Sequence, residues 1–386
     1  MTKRRTIGVY AACLVAVMAT ACAGTHSVVQ ERADRARRST GDILIAVAWP
    51  FSVSQDGARN GIEMAVEEVN AAGGVLGRDL RVAAWADDHG SAEEGSAVAQ
   101  RIADNPDVVA VIGHGSSPVS IPASAIYQFA GILMMSPAST SPRLTRQEFD
   151  LVFSNIPSDE VIGRQMADFV YHQGYRQMVI LAAKDAYGRG LANVVEGSGR
   201  IIIVDRQSYL DDSSFSQILE NWKHLNFEAI FIAGSTPPAA EFIRQARAAG
   251  INVPIYGGDG LDSGELTTLG GEAAEGTVFA SPFDPDDGRP EVQKFAAAFK
   301  SKYGGPPDAW AAQAYDEVKL LAYAMNQAGS TVPGDVARVL HQTRDWPGVT
   351  GTHTFDENGA VINKPIVLKV VRNGQFEFLG RTPSTP

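Results

Sequence analysis

Cysteine is nearly absent from this chain of 386 residues. Only Cys13 and Cys22 occur, and Cys13 lies in an N-terminal segment that we expect to be removed during export. The mature chain then keeps a single thiol. One thiol allows no intramolecular disulfide and no metal site made of several cysteines.

Positive charge is also scarce. The chain has 33 lysine and arginine residues against 44 aspartate and glutamate residues, a formal net charge of −11 at pH 7. Nucleic-acid binding needs clustered positive charge to meet the phosphates, so this balance excludes nucleic acid as the main partner. Hydrophobic residues make up 45% of the chain, which is typical of a globular protein. The length is sufficient for two domains.

The apolar run at the N-terminus, from Ile7 to Ala21, is too short to span a bilayer comfortably. Basic residues precede this run, and the small residues Ala19-Thr20-Ala21 end it directly before Cys22. This arrangement resembles a bacterial lipoprotein signal, although leucine is more usual at position 19. We predict a signal peptide over residues 1–21 and a lipid at Cys22 that anchors an exported protein in the cell envelope. Ordinary secretion with an incidental cysteine remains the alternative.

Residues 22–42 are predicted to form a flexible tether between the anchor and the first strand. The stretch from Thr25 to Asp42 is polar, mixed in charge and without apolar periodicity. Strand and helix patterns alternate from Ile43 almost to the C-terminus. Repeated β-α-β units imply parallel sheets that are covered by helices. The strands are too many for one sheet, so we predict two α/β lobes with Rossmann-like parallel sheets.

Polar residues follow several of the predicted strands. Ligands bind such sheets outside the carboxyl ends of the strands, so these turns are the candidate sites. The turn Gly113-His114-Gly115-Ser116-Ser117 follows the third strand, and the turn from Ser136 to Pro142 follows the fourth. In the second half of the chain, Asp259 lies in the turn Gly257-Gly258-Asp259-Gly260.

Catalytic, phosphate-binding and metal-binding patterns do not fit these turns. Neither Ser116 nor Ser117 has the trailing glycine of a G-x-S-x-G nucleophile turn, and His114 is too close in sequence to act as their base. No Walker-type lysine is present. The acidic residues around His89 suggest a metal site. Ser91 and Glu94, however, form a capping box at the start of a helix, which explains Glu94 more simply. We expect no enzyme activity, no metal ion and no cofactor.

A small carboxylate ligand fits better. Backbone N–H groups at a helix N-terminus bind an anion without a basic side chain, and Ser117, Ser139 and Thr140 add hydroxyl donors. Asp259 from the opposite lobe is placed to meet an ammonium group. The aromatic residues Trp49, Phe51 and Tyr187 are candidates for the pocket walls. The alternative is that each of these residues is merely a turn or cap residue.

Several segments resemble the periplasmic branched-chain amino-acid-binding proteins, which are the solute receptors of ABC importers and have the type I periplasmic binding fold. The resemblance extends from residue 43 to about 380. The segments that carry it are Gly61–Gly74, Val111–His114, Ser136–Pro142, Ala186–Ala192, Arg244–Gly250, Gly257–Gly260, Ala274–Gly276 and Phe355–Gly359.

The resemblance implies two lobes that are joined by a three-strand hinge and close around a ligand. The N-terminal lobe would comprise residues 43–157 and 283–350, and the C-terminal lobe residues 158–282 and 351–386. The implied partners are ABC permease subunits in the membrane, and the implied state is a monomer.

The resemblance also implies the roles of the candidate site residues. Ser117, Ser139 and Thr140, with Ser116 beside them, would bind the carboxylate of an amino acid. Asp259, where relatives often have glutamate, would bind the ammonium group, and Tyr187 would close over the ligand.

Two departures from the family pattern concern the rest of the pocket. Ser54 stands where many relatives have an aromatic residue, and Gly234-Ser235-Thr236-Pro237 lacks the usual tyrosine. Trp49 and Phe51 are therefore expected to supply the bulk. The amino acid is expected to be branched-chain or otherwise aliphatic. A sensory receptor of the same fold and a binder of amides or urea remain the alternatives.

Overall fold

The computed structural model describes residues 28–54, 56–210 and 215–381. The predicted signal peptide over residues 1–21 and the predicted lipidation site, Cys22, lie outside these residues. Among the helices in the described part of the chain, none is both long and apolar enough to cross a lipid bilayer.

Strands and helices alternate as the sequence pattern predicts. The strands are β1 (Ile43–Trp49), β2 (Leu80–Asp87), β3 (Val108–Gly113), β4 (Leu133–Ser136), β5 (Val152–Ser154), β6 (Gln177–Ala183), β7 (Ile202–Tyr209), β8 (Ala229–Ala233), β9 (Ile255–Gly257), β10 (Val278–Ser281), β11 (Trp346–Gly348), β12 (Gly351–Phe355), β13 (Val361–Ile362), β14 (Val367–Arg372) and β15 (Gln375–Arg381). The helices are α1 (residues 28–38), α2 (Ala58–Ala71), α3 (Ala92–Ala103), α4 (Ser117–Ala130), α5 (Asp159–His172), α6 (Ala186–Gly197), α7 (Phe215–Trp222), α8 (Pro238–Ala248), α9 (Glu265–Gly270), α10 (Pro290–Tyr303), α11 (Ala309–Ala328) and α12 (Pro333–Gln342).

Two sheets form the centres of two lobes, which confirms the predicted α/β class. The first sheet has the order β2-β1-β3-β4-β5, and all of its pairs are parallel. Every residue of β3 is buried because helices cover both faces of the sheet, which is why the strand is a continuous apolar run. Two apolar clusters, one on each face, form the core of this first lobe.

The second sheet has the order β15-β14-β10-β9-β8-β6-β7. Its strands from β10 to β7 are parallel, whereas β14 and β15 form an antiparallel hairpin at the edge. The turn of this hairpin is Asn373-Gly374, with φ angles of 51° and 71°. Both angles lie in the left-handed region that a two-residue hairpin turn of type I′ requires, so the predicted hairpin is confirmed.

The chain passes between the lobes three times. The first crossover consists of residues 155–158, and the second follows β10. After the second crossover, α10, α11 and α12 contribute to the core of the first lobe. The third crossover is residues 363–366, between β13 and β14. The prediction that the second lobe resumes at residue 351 is wrong, because Phe355 and Val361 are buried in the core of the first lobe.

The predicted flexible tether is wrong for residues 28–38, which form α1. Ala33 and Ala36 are buried in the core of the first lobe. Arg32 lies directly before Ala33 in the helix, and only 1% of it is exposed. Its guanidinium group donates to four carbonyl oxygens at 2.6–2.8 Å. They belong to the last residues of α3 and α4, Ala103 and Ala130, to Asn105 before β3 and to Val108 at the start of β3. A helix with a polar sequence is thus part of the folded lobe, because its arginine donates hydrogen bonds to these carbonyl oxygens.

Replacing Arg32 by methionine is expected to lower the free energy of unfolding by about 2–4 kcal/mol, because four carbonyl oxygens in buried or partly buried hydrogen bonds lose a charged donor. Urea denaturation followed by intrinsic fluorescence measures the change. The matched control is Arg35→Met, because Arg35 is exposed and bonds only to exposed carboxylates. Equal effects of the two variants would show that α1 contributes little to the stability of the lobe.

Candidate ligand-binding site

The carboxyl ends of β3 and β4 bring two predicted turns together in the first lobe. Ser116 has extended backbone angles and precedes α4, which begins at Ser117. The Oγ atom of Ser117 accepts a hydrogen bond of 3.1 Å from the backbone N–H of Ser141 in the second turn. The hydroxyl hydrogen of Ser117 is therefore still available as a donor, beside the positive end of α4.

Ser139 and Thr140 differ in how their hydroxyl groups are used. Ser139 donates to the Oγ atom of Ser120 at 2.7 Å, so the protein itself uses its hydrogen. The Oγ1 atom of Thr140 is buried without a hydrogen-bond partner of good geometry. Buried hydroxyl groups are almost always paired, so Thr140 is the residue of this turn with an unused polar atom.

His114 is a structural residue. It is fully buried; its Nδ1 atom lies 2.6 Å from the carboxylate of Asp88 and its Nε2 atom 3.1 Å from the hydroxyl of Tyr127. Both ring nitrogens are thus engaged away from the serines of the same turn. A serine nucleophile needs a histidine with a free nitrogen, so this turn does not form a catalytic pair.

The half of the site in the second lobe is built around Asp259. This residue begins a short 3-10 helix after β9 and is 3% exposed. The hydroxyl of Tyr187 donates to its Oδ1 atom at 2.9 Å and accepts from the backbone N–H of Gly260 at 3.0 Å. Burial raises the pKa of Asp259 to about 7, and the hydrogen bond from Tyr187 opposes that rise. A Cβ atom on Gly258 would lie 2.5 Å from the hydroxyl of Tyr187, so glycine is required there.

Asp159 is a further residue of the site that the sequence analysis missed. It begins α5 directly after the first crossover and is fully buried, with no hydrogen-bond partner of good geometry for either carboxylate oxygen. Burial raises its pKa well above the ordinary value, the facing hydroxyl of Thr140 opposes the rise, and the charge of Asp259 adds to it. In the sequence, an acidic residue after Ser158 is typical of an ordinary helix start, so no local signal distinguishes it.

Comparison with known proteins identifies the family of this chain. The sequence model of the family described as periplasmic binding protein matches residues 45–375. This chain belongs to that family.

Individual periplasmic binding proteins are similar over most of the chain. The Leu/Ile/Val-binding protein homolog 2 of Brucella abortus is 32% identical over 350 residues, which cover 87% of this chain and 92% of that protein. An ABC transporter substrate-binding protein from Desulfitobacterium hafniense, solved in complex with Leu, is 41% identical over 88% of this chain and 100% of that one, with a TM-score of 0.78. A branched-chain amino acid binding protein from Streptococcus pneumoniae, in complex with isoleucine, is 27% identical with a TM-score of 0.81, covering 88% and 99%.

Membership in the periplasmic binding protein family confirms the predicted fold and the predicted class of solute-binding protein. The two lobes and three crossovers are those of the type I periplasmic binding fold. Members of this family are exported solute-binding proteins of ABC transporters and not enzymes.

The predicted pocket walls Trp49, the last residue of β1, and Phe51, just after this strand, make contacts within the first lobe. The Nε1 atom of Trp49 donates to both carboxylate oxygens of Asp56, at 3.2 and 3.0 Å, and Ser54 also bonds to this carboxylate. Phe51 packs edge-on against Trp85, with ring centroids 5.9 Å apart, and Arg59 covers both rings. These contacts within the first lobe account for Phe51 without a ligand. Its role as a pocket wall stays a prediction.

Proposed function

We propose that this periplasmic binding protein binds a branched-chain or other aliphatic amino acid between its lobes and delivers it to the permease of an ABC importer. The observation that carries the proposal is a facing pair of buried groups near Asp259, the hydroxyl of Thr140 and the carboxylate of Asp159, neither of which has a hydrogen bond of good geometry. Leucine and isoleucine are the amino acids bound by the similar proteins described above.

The ammonium group of the ligand is assigned to the carboxylates. Asp159 and Asp259 are both buried and interact electrostatically, and burial raises the pKa of each. Two buried carboxylates without a cation are unfavourable, because each has lost its hydration and repels the other. An ammonium group between them removes both penalties and gives the hydroxyl of Thr140 a role as acceptor.

The carboxylate group of the ligand is assigned to the first lobe. The hydroxyl of Ser117 and the amide groups at the start of α4 are donors at the positive end of a helix of 14 residues. Ser139 orients this turn, because its hydroxyl group donates to Ser120. The Oγ atom of Ser139 can still accept a hydrogen bond. Charge-assisted hydrogen bonds in a site without water are among the strongest polar contacts, so a zwitterion matches both halves.

Closure of the hinge is the step that couples binding to delivery. Asp259 and Tyr187 belong to the second lobe, whereas Ser117 and Thr140 belong to the first, so only the closed arrangement brings all of them to one ligand. A ligand shifts the population toward the closed state by its greater affinity for that state. The permease then distinguishes the closed form from the open form.

Isothermal titration calorimetry of the purified protein tests the proposal. We expect leucine, isoleucine or valine to bind, whereas the hydroxy acid analogue of leucine, which lacks the ammonium group, binds far more weakly. Acetamide and urea serve as the alternative ligands. Binding of amides or urea without binding of any amino acid would contradict the proposed ligand class.

We propose in addition that Cys22 carries the lipid that anchors the protein in the membrane. Because α1 already belongs to the folded lobe at residue 28, only residues 23–27 separate Cys22 from it. In the cells that produce the protein, Cys22→Ala is expected to move it from the membrane fraction to the soluble fraction without changing its affinity for leucine. Cys13→Ala, in the segment that is removed, is the matched control and stays in the membrane fraction. Equal distribution of the two variants would contradict the lipid anchor.

A further inference from the structure

Lys364 lies in the third crossover, and its ammonium group is enclosed by the first lobe. The residue is 3% exposed. Its Nζ atom donates to the carbonyl oxygen of Asn155 at 2.9 Å, to Oε1 of Gln313 at 2.9 Å and to Oγ1 of Thr350 at 2.7 Å. Nε2 of His353 lies 3.2 Å away. An ammonium group has three hydrogens, so three oxygen acceptors use all of its donors.

These contacts join two of the three crossovers. Asn155 is the first residue of the first crossover, and its side chain also donates to the backbone oxygen of Gln313 at 3.1 Å. Gln313 belongs to α11 in the first lobe. Lys364 therefore fixes the first and third crossovers to each other and to the same helix of the first lobe.

Carboxylates surround this contact without bonding to the ammonium group. Asp316 accepts from the backbone N–H groups of Val349 and Thr350. Glu317 is fully buried, and neither of its oxygens has a hydrogen-bond partner of good geometry. Burial lowers the pKa of Lys364 to about 7 against the attraction of Asp316 and Glu317, and the charge of Arg289 lowers it further. Burying a lysine in this way is unfavourable for stability. The position of Lys364 therefore needs an explanation other than stability.

We propose that Lys364 is a positioning residue for lobe closure, because its contacts hold the first and third crossovers at residues 155 and 364 and leave residues 156–158 and 365–366 as the pivot. The inference rests on the proposed function, in which the lobes open and close around a ligand. Both pivot segments contain a proline, Pro157 and Pro365, whose fixed φ angle further restricts the bending.

The contacts of Lys364 lie entirely in the crossovers and the first lobe, so they do not depend on a ligand. Loss of the ammonium group frees the third crossover from Asn155 and Gln313 and lengthens the part of that crossover that can bend, while Asn155 keeps its own bond to Gln313. A longer pivot allows a wider range of open arrangements. The closed state is then less favoured, and the bound ligand dissociates faster.

Lys364→Met tests this directly in the chain that lacks the lipid anchor through Cys22→Ala. Spin labels are attached to cysteines that replace Phe129 in the first lobe and Ile202 in the second, each 66% exposed. Double electron–electron resonance then measures the distance distribution between the lobes. Without ligand we expect the distribution of Lys364→Met to be broader and shifted to longer distances. With leucine we expect faster dissociation than in the wild type, because a wider range of open arrangements disfavours the closed state.

Lys369→Met is the matched control. Lys369 is also a buried lysine, but it bonds to Asp262 within the second lobe. We expect this variant to lose stability and to keep the interlobe distances of the wild type. A broad distribution in Lys369→Met equal to that in Lys364→Met would overturn the inference, since any buried lysine would then have the same effect.

Gln313→Met provides a second variant if Lys364→Met does not fold, because it removes one acceptor and keeps the lysine. We expect a smaller shift of the distances in the same direction. Unchanged distances in the folded variants contradict the role of Lys364. If the ligand-free distances shift while leucine fails to bind the wild type, the hinge inference is supported and the proposed ligand is what fails.

Discussion

Asp259→Asn is expected to weaken leucine binding by roughly 2–5 kcal/mol, which is about 30- to 4,000-fold in the dissociation constant. The substitution keeps the size of the side chain and its acceptor for the hydroxyl of Tyr187, 2.9 Å away in the wild type. It removes the negative charge that we assign to the ligand's ammonium group. Isothermal titration calorimetry near pH 8 measures the loss.

The conservative variant Asp259→Glu is the control for this result. It keeps the charge, and glutamate is the residue that the family resemblance implies at this position, so we expect most of the affinity to remain. An unchanged affinity in Asp259→Asn would mean that Asp259 is only a turn residue.

The pH dependence of binding gives an independent measurement of the same contact. Burial raises the pKa of Asp259 to about 7, so the ligand-free site holds a proton below that pH. Binding of an ammonium group requires the ionised carboxylate, so the proton must leave. From this residue alone, affinity is constant above pH 7 and falls about tenfold for each pH unit below it. In Asp259→Asn this contribution is absent.

Asp159→Asn is expected to change stability and affinity in opposite directions. In the ligand-free protein the Asp159 carboxylate is buried without a good hydrogen-bond partner, so the neutral amide is expected to raise the free energy of unfolding by about 1–3 kcal/mol. The same change removes a negative charge from the ammonium site, and we expect leucine to bind about 10- to 100-fold more weakly. Urea denaturation without ligand and calorimetry with leucine measure the two effects.

The stability difference has a defined pH dependence. The pKa of Asp159 in the folded protein is raised well above its ordinary value, whereas the unfolded chain keeps that value. The contribution of Asp159 to stability is fully present below the unfolded pKa and is lost as pH rises through the folded pKa. The stability advantage of Asp159→Asn over the wild type therefore grows as pH rises from the unfolded pKa of Asp159 towards its folded pKa.

The matched control for Asp159→Asn is its neighbour Glu160. Its pKa is lowered first by hydrogen bonds from Arg146, with which it forms a bidentate ion pair on the surface. Glu160→Gln is therefore expected to leave leucine affinity unchanged. A loss of stability in Asp159→Asn together with full affinity would assign Asp159 a purely structural role.

Local patterns predicted much of the fold and part of the site. The apolar run of β3 and the turn Asn373-Gly374 each carry a signal that depends on neighbouring residues only, and both have the predicted structure. Ser117 and Thr140 were predicted to be close because they follow adjacent parallel strands, and the hydrogen bond between Ser117 and Ser141 joins their turns. Once the sheet is recognised as parallel, the sequence thus predicts which residues lie together at the ends of its strands.

Only the tertiary structure decided which charged residues are buried. Arg32 lies in a polar stretch of sequence, Asp159 at an ordinary helix start and Lys364 between apolar segments, and no local pattern at any of the three predicts a buried charge. Their burial depends on partners far along the chain, such as the carbonyl oxygens of Ala130 and Asn155. The sequence by itself determined the two α/β lobes and the turns that meet between them, because strand and helix periodicity are local. The burial of Asp159, the packing of α1 on the first lobe and the contact of Lys364 with Asn155 depend on distant partners, and only the folded chain brings these together.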